Sequence, residues 1–293
     1  MDDFDWDRTV FTLLGPDALV RHLGGAVLDR IESLQYRPVT WRVFWHRPED
    51  LDSFHEQQIT HAWKTYLYRL VDHLFAFGPT VAMLVTDEQP GSARTSHQRL
   101  GEGKGSSDPA SAGPGTIRGD LSSINVMLAL MHSADTPADS RHESSIFGGP
   151  GGFQPGADPG DLRSQLSLLE LAGPAEQRGY PEVLAGLRAR MLAATWDDLP
   201  RPVRKTAGVM AEAGAGGLAA AGSGERLADL LPAAHPLADV LRADFTPGSP
   251  GPPVERVRLQ LTAFGTDLDP WEDLVLATSR RFWPRGANAN LAS

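Results

Sequence analysis

The chain has 293 residues, of which 41% are hydrophobic and 22% are charged, so it has the composition of a globular protein with one large domain or two. This length and composition exclude collagen, coiled coils and disulfide-stabilised mini-proteins. The absence of cysteine excludes disulfides, thiolate metal sites and cysteine nucleophiles, and the formal net charge of -10 argues against nucleic acid as a partner.

The N-terminal residues predict a soluble, cytoplasmic protein with no membrane partner. Residues through Asp5 are acidic, whereas a signal peptide begins with cations followed by an apolar run. No window approaches the ~18 consecutive apolar residues of a membrane span.

The first 90 residues alternate between strand and helix patterns. The run TVFTLL at 9–14 predicts a buried strand, ended by a Gly-Pro-Asp turn in which Asp17 can cap a helix. Apolar residues recur at a spacing near 3.6 over 18–34, which predicts one amphipathic helix. Alternation over 39–45 predicts a half-buried strand, and 50–77, without Pro or Gly, predicts one or two helices.

The next 60 residues complete the pattern of a small sandwich. The run TVAMLVT at 80–86 predicts a strand, and the Gly-, Ser- and Pro-dense stretch 89–119 predicts a long functional or disordered loop. A short helical piece after Asp120 and an apolar strand over 126–131 follow. This order predicts an α+β fold for residues 1–150, a ferredoxin-like βαββαβ antiparallel sandwich with helices on one face.

Glycine and proline over 148–160 mark a linker. Helical patterns beyond it cover 161–171, 181–194 and 271–282. The helicity of 207–224 is doubtful because each interior glycine costs roughly 1 kcal/mol, and alternation over 256–262 predicts a strand. We therefore expect an α-rich C-terminal domain, 151–293, that packs against the first domain or stabilises an oligomer.

A phosphate site is predicted by the loop 114–120 (PGTIRGD) and by the strand after it. Small residues let backbone amides approach an anion, Arg118 supplies a planar guanidinium suited to phosphate, and Thr116 is a further phosphate-binding candidate. His132 ends the apolar strand, so its ring is predicted to face a cavity. A neutral imidazole attacks a phosphoryl group through one nitrogen when an acceptor, Glu143 or a backbone carbonyl, holds the other.

At these residues the sequence resembles the nucleoside diphosphate kinase family. Residues 114–120 match that family's P-G-T-I-R-G-D loop, and 131–135 (MHSAD) match its H-G-S-D nucleophile segment at His132 and Asp135. The resemblance extends from residue 8 to about 147 and covers none of the remainder.

The resemblance implies that His132 takes the γ-phosphate of a nucleoside triphosphate, becomes phosphohistidine and passes the group to a diphosphate. It also implies that Glu143 fixes the histidine, that Arg118 contacts the phosphates and that Ser107 stands for the family's phosphate-binding threonine. Mg2+ is the implied cofactor, bound through the nucleotide, with Asp135 as the candidate protein ligand. Nucleoside di- and triphosphates are the implied partners, and a homo-oligomer is expected because the family forms oligomers.

The sequence departs from the family at several positions of the expected site. Gly15 replaces the lysine that meets the transferred phosphate, and Ala129 replaces the asparagine for ribose and phosphate. The second phosphate arginine aligns near His97, with the candidate Arg99 displaced from it, and the serine behind the glutamate is Ala134.

Lys104 is the candidate substitute for the missing cation. It lies between glycines in the segment 101–107 (GEGKGSS), which is longer than its family counterpart, so its side chain could fold back over the phosphates. The segment is not a Walker A loop, because the G-x-x-x-x-G-K-[ST] spacing fails.

Three functions stay open from the sequence. The leading hypothesis is a divergent nucleoside diphosphate kinase-like phosphotransferase that works through phosphohistidine at His132. The second is a nucleotide-binding or scaffolding protein that has lost turnover along with the lysine and the asparagine. The third is a phosphotransferase for another phosphorylated metabolite, with the C-terminal domain reshaping access to the site.

Overall fold

The computed structural model describes residues 4–46, 67–91, 93–149, 151–154, 156, 158–173, 177–232, 234–245 and 254–282. The chain forms two compact units, Met1–Gln177 and Arg178–Ser293. Within the described ranges, no helix is long and apolar enough to cross a membrane.

The first unit contains four strands and seven helices in its described part. In chain order they are β1 (Thr9–Leu14), α1 (Pro16–Val20), α2 (Gly24–Ser33), β2 (Tyr36–Phe44), α3 (Leu67–Phe75), β3 (Thr80–Asp87), α4 (Ser96–Lys104), α5 (Ile117–Asp120), β4 (Met131–Ser133), α6 (Pro137–Phe147) and α7 (Pro159–Ala172).

The four strands form one antiparallel sheet in the order β2-β3-β1-β4. Buried residues of α2, α4 and α5 share one core cluster with the β1 residues Val10 and Leu14, so these three helices cover one face of the sheet. This arrangement confirms the predicted ferredoxin-like βαββαβ sandwich. The strand predicted over 126–131 is displaced, since only Met131 of that run belongs to β4.

The opposite face of the sheet is covered after the last strand. Phe11 and Leu13 point away from Val10 and Leu14 because successive strand residues face opposite sides. They pack with Phe147 at the end of α6, and the rings of Phe11 and Phe147 stack with centroids 5.6 Å apart. Helix α6 therefore closes the face on which Leu13 and its cross-strand partner lie.

Helix α7 belongs to the first unit, although it follows the glycine-rich segment. Leu162 and Leu166 are buried in the same cluster as α2. The Gly24 amide, at the start of α2, donates to the Glu170 carboxylate over 2.8 Å, and Arg163 pairs with Asp29 over 2.6 Å. These contacts join α7 to the first compact unit, which extends to Gln177.

Two predictions for the first unit are wrong in detail. The stretch predicted as a long loop, 89–119, contains α4, which begins with a capping box between Thr95 and Gln98. The glycines of α4 obscured this signal, and Gly103 has a packing role, because a Cβ there would overlap the Leu34 side chain. The single helix predicted over 18–34 is two helices, α1 and α2.

The prediction of helix over 50–77 is tested only in part. Residues 67–75 form α3, whereas 50–66 lie outside the described residues.

The regular secondary structure in the described part of the second unit is all helical, which confirms the α-rich prediction. Its elements are α8 (Tyr180–Ala194), a 3-10 turn (Trp196–Asp198), α9 (Arg201–Glu212), α10 (Ala215–Leu218), α11 (Ser223–Ala228), α12 (Pro236–Arg242), α13 (Val254–Ala263) and α14 (Pro270–Phe282). The segment of doubtful helicity, 207–224, lies largely in α9, α10 and α11.

The strand predicted over 256–262 is wrong, because this segment lies in α13. Val257 and Leu261 are fully buried, while Leu259 between them is 73% exposed. Two buried residues four positions apart lie on one face of a helix. Over only seven residues, the apolar positions Val257, Leu259 and Leu261 did not distinguish the period of a strand from that of a helix.

A buried arginine organises the second unit. Arg188 of α8 is fully buried and donates to the carbonyls of Leu218 and Leu241 over 2.7 and 3.1 Å, and to the Asp244 carboxylate over 2.6 Å. It thereby satisfies carbonyl groups at the ends of α10 and α12, which the helices leave without partners.

We expect Gly224→Ala to destabilise the second unit. A Cβ at Gly224 would overlap both the Leu241 carbonyl oxygen and the Arg188 guanidinium. Overpacking of this kind costs about 1–3 kcal/mol, whereas Gly216→Ala, with open space around its Cβ, is expected to be neutral or stabilising by up to ~1 kcal/mol. Denaturant unfolding followed by tryptophan fluorescence measures both, and equal stabilities would contradict the assignment.

Candidate active site

His132 is the middle residue of β4, a strand at the edge of the sheet. It lies opposite Leu13 of β1 and therefore on the face that α6 covers. Its side chain is 37% exposed, so the ring combines a fixed position with access from solvent.

Glu143 of α6 holds the imidazole from one side. Its Oε2 atom lies 2.9 Å from His132 Nε2, and its side chain is only 14% exposed. An ionised carboxylate only accepts hydrogen bonds, so a neutral His132 carries its proton on Nε2 and its lone pair on Nδ1. Of the two acceptors considered from sequence, the carboxylate is the one that holds Nε2.

The chain makes an unusual turn immediately before β4. Leu130 has a φ of +68°, and the Met131 amide donates to the Ala129 carbonyl over 2.8 Å. A hydrogen bond between residues two apart around a positive φ defines a classic γ-turn, which is strained for a side chain such as leucine. This turn sets the direction in which His132 leaves the preceding loop.

Two buried charged side chains hold this turn from opposite sides. Asp17 accepts the Leu130 amide over 2.7 Å, while Arg118 donates from Nε to the Ala129 carbonyl over 3.0 Å and from Nη2 to the Met131 carbonyl over 2.6 Å. Asp17 is 2% exposed, and burial raises the pKa of its carboxyl group. Asp17 is thus not the helix cap predicted from sequence, because Gly15 occupies the N-cap of α1.

Arg118 is committed to backbone more than the sequence predicts. A third hydrogen bond joins its Nη1 atom to the Gly105 carbonyl over 3.0 Å, and the residue is 8% exposed. Burial lowers its pKa to about 10, which leaves it cationic at neutral pH. Three of its five N–H groups are engaged, so its first role in this structure is to hold the turn before His132.

The loop 114–120 uses its own polar groups to position Arg118. Thr116 caps α5, since its hydroxyl accepts the Gly119 amide over 3.1 Å and donates to the Gly113 carbonyl over 2.7 Å. The Gly115 amide donates to the Asp120 carboxylate over 2.8 Å. The amides of Gly115 and Gly119, two of those predicted to face an anion, are therefore bonded within the loop.

Lys104, at the C-terminal end of α4, reaches β4. Its Nζ atom donates to Oγ and to the carbonyl oxygen of Ser133, over 2.8 and 3.3 Å, and the residue is 8% exposed. Burial, reinforced by the charge of Arg118, lowers its pKa to about 8. Ser107, also predicted to bind phosphate, is half-buried in the connection between α4 and α5.

Arg99 does not reach the nucleophile. It pairs with the buried Asp87 carboxylate over 2.9 Å. The Asp87 amide in turn donates to the carbonyl of Arg8, the residue before β1. His132 lies opposite Leu13, near the other end of β1. Along the strand, Leu13 is about 17 Å from Arg8, at ~3.3 Å per residue.

His97, at the aligned position of a phosphate arginine, is buried inside the first unit. Its Nε2 atom lies 2.9 Å from the Ser140 hydroxyl of α6, and burial lowers its pKa. Ser140 also accepts the Phe11 amide over 2.9 Å. The Ser140 hydroxyl of α6 therefore links α4 and β1 to its own helix inside the first unit.

Comparison with known proteins identifies the family. The family model for nucleoside diphosphate kinase matches residues 7–150. The nucleoside diphosphate kinase of Moorella thermoacetica is 31% identical over 141 residues, which cover 48% of this chain and 93% of that protein. The chain belongs to the nucleoside diphosphate kinase family. The Streptomyces coelicolor nucleoside diphosphate kinase is 34% identical over 141 residues, which cover 46% of this chain and 91% of its own.

Among solved structures, a crystal structure of nucleoside diphosphate kinase from Encephalitozoon cuniculi is 19% identical, with a TM-score of 0.44. That comparison covers 51% of this chain and 94% of the other.

The site of this family member contains no protein cage for a metal in its described part. No group of three or more His, Asp or Glu side chains that could hold a metal occurs there. Asp135 is exposed in the turn after His132. Mg2+ is commonly held by one or two carboxylates together with substrate phosphates, so this donor set fits a Mg2+ ion that arrives with a nucleotide.

Sequence reasoning missed the turn at Leu130 and the role of Asp17 in holding it. The signal available was a carboxylate in an otherwise apolar stretch, PDALV, where burial requires a hydrogen-bond donor. The donor lies more than a hundred residues away, so the pattern alone did not identify it.

Proposed function

We propose that this chain is a phosphotransferase that moves the γ-phosphate of a nucleoside triphosphate to a nucleoside diphosphate through a phosphohistidine at His132. The 2.9 Å contact between His132 Nε2 and Glu143 Oε2 carries the proposal. It directs the lone pair to Nδ1 and places a carboxylate where positive charge develops on the ring.

In the first step, the Nδ1 lone pair attacks the γ-phosphorus. The N–P bond forms as the bond from the γ-phosphorus to the β,γ-bridging oxygen breaks, and its electron pair leaves with the nucleoside diphosphate. The Nε2 proton stays on the ring, where Glu143 stabilises the resulting imidazolium. A second nucleoside diphosphate reverses the step and takes the phosphoryl group.

The strained turn supports this chemistry by fixing the attacking nitrogen. Asp17 and Arg118 oppose the relaxation of Leu130, and through it they hold His132 in one direction. Holding reacting groups within hydrogen-bond distances is worth orders of magnitude in rate, and a misplacement near 1 Å can cost about 100-fold.

Asp135 is the residue that would hold Mg2+ beside the phosphates. The ion, when bound, supplies neutralisation of charge on the transferring and leaving oxygens. The exposed position of the Asp135 carboxylate, three residues after the nucleophile, fits that role.

A nucleotide-binding protein with little turnover is the second candidate. Arg118 donates three of its N–H groups to backbone carbonyls, and Gly15 has no side chain that could contact a phosphate. A Cβ at Gly15 would overlap the Asp17 carboxylate that holds Leu130, so a side chain at position 15 requires Asp17 to move.

Incubation of the full chain with γ-labelled ATP and Mg2+ tests the proposal. We expect acid-labile, alkali-stable label on the protein, transferred to GDP or CDP on addition. Nucleotide binding without label would favour the second candidate. Label that passes to neither diphosphate would show an acceptor of another class.

A further inference from the structure

A buried lysine beside the nucleophile takes no part in the steps derived above. The ammonium of Lys104 contacts Ser133, the residue after His132, and is almost fully shielded from water. Within the part of the chain that the structure describes, no carboxylate lies within ion-pair distance of its Nζ atom. An ammonium buried in this way is costly for folding, which is the usual signature of a functional site.

The geometry of the edge strand explains how the lysine gets there. His132 lies opposite Leu13, and the Ala134 amide donates to the Phe11 carbonyl over 3.0 Å, so both residues belong to hydrogen-bonded pairs of the ladder. Ser133, between them, belongs to a non-hydrogen-bonded pair. In an antiparallel ladder, the backbone groups of such a residue point away from the partner strand. The Ser133 carbonyl therefore faces the open edge of the sheet. There it accepts a hydrogen bond from the Lys104 ammonium at the end of α4.

Charged groups surround Lys104 from the neighbouring elements. Those that interact with its ammonium are Arg118 on α5, Asp135 in the turn after β4 and Glu143 on α6. His132, the residue before Ser133 on β4, is a further titratable neighbour. Two carboxylates thus favour the cation, and one guanidinium opposes it.

We propose that Lys104 compensates the negative charge that arrives when His132 accepts a phosphoryl group. The inference rests on the proposed function. A neutral imidazole that receives a phosphoryl group becomes an imidazolium with a doubly charged phosphoryl, so the residue gains one net negative charge. That charge appears near Glu143 and Asp135, and Lys104 is a buried cation that contacts the residue after His132 and does not hold the Leu130 turn.

Lys104 acts in this way only while it is protonated. Burial lowers its pKa to about 8, below the ordinary value for lysine, so the ammonium loses its proton as pH rises through that range. Phosphoenzyme formation is therefore expected to be fastest below pH 8 and to fall above it. A lysine with only a structural role would not produce this dependence.

The test is the rate of label incorporation from γ-labelled ATP and Mg2+ into the full chain between pH 6.5 and 10. We expect the wild-type rate to fall about 10-fold per pH unit above its midpoint. Lys104→Met, of similar length and apolar, is expected to be about 100-fold slower at pH 7 and without the alkaline fall. The exposed Lys205 supplies the control, since Lys205→Met is expected to match the wild type.

A second pair of measurements keeps the test independent of one variant. Lys104→Arg keeps the charge and is expected to move the alkaline fall to higher pH, and ethylamine is expected to restore part of the rate of Lys104→Ala. A wild-type rate without an alkaline fall, or a Lys104→Met rate equal to wild type, would overturn the inference while the phosphotransferase proposal stands. An unlabelled wild-type chain would instead overturn the proposed function.

Discussion

Arg118→Met is expected to lower the free energy of unfolding of the first unit by about 3 kcal/mol or more. The change removes the donors of the Gly105, Ala129 and Met131 carbonyls, and each buried acceptor left without a partner costs about 1–3 kcal/mol. It also removes one of the two constraints on the turn before His132. The rate of His132 phosphorylation is therefore expected to fall at least 100-fold at temperatures where the variant is folded.

Denaturant unfolding and label incorporation measure the two effects separately. Arg118→Lys is expected to rescue neither, because an ammonium cannot bond three divergent carbonyls in the manner of a planar guanidinium. Arg30→Met is the matched control. Arg30 pairs with Asp120 over 2.8 Å in the same region, but its side chain is 32% exposed, and such pairs contribute ~1 kcal/mol or less. Wild-type stability of Arg118→Met would contradict the bracing role.

Replacing His132 by asparagine is expected to abolish the phosphoenzyme completely. The carboxamide has no nitrogen lone pair of comparable nucleophilicity, so the N–P bond cannot form. Acid-labile label after incubation with γ-labelled ATP measures the loss. His142→Asn, on the exposed side of α6, is the matched control and is expected to label at the wild-type rate.

Glu143→Gln separates charge from hydrogen bonding at the same site. The amide oxygen can still accept from His132 Nε2, but it cannot neutralise an imidazolium, so we expect label to form roughly 100 to 1,000 times more slowly. Label that persists in His132→Asn would place the acceptor elsewhere. A wild-type rate in Glu143→Gln would show that the ring needs only the hydrogen bond.

Local pattern was sufficient for the two central strands of the sheet, β1 and β3. The strands at 9–14 and 80–86 are short apolar runs bounded by turn residues, and both are found within one residue of the expected bounds. The opposite outcome at 254–263 has a physical reason: in a short segment, alternation and helical spacing share the same apolar positions. Burial against neighbouring helices decides between them.

The candidate site residues also divide into those that the sequence predicted and those whose roles depend on tertiary partners. His132 and Glu143 were both expected from sequence, and they meet because α6 begins four residues after β4 and turns the carboxylate back onto the ring. Arg99 and Thr116 have the chemistry to bind phosphate, but Asp87 holds the first and the second caps α5. Their phosphate-binding roles depend on partners that composition does not reveal.

The sequence by itself determined the family, the βαββαβ order and the candidate nucleophile, because these depend on residue identity and on spacing along a few turns or strands. Tertiary structure alone decided which cations lie near that nucleophile. Arg118 reaches the carbonyls of Ala129 and Met131 at the start of β4, and Lys104 is buried against Ser133, because α4 and α5 pack beside an edge strand whose outward backbone groups need partners. Such pairings join residues 11 to 29 positions apart that belong to different elements, where no sequence period connects them.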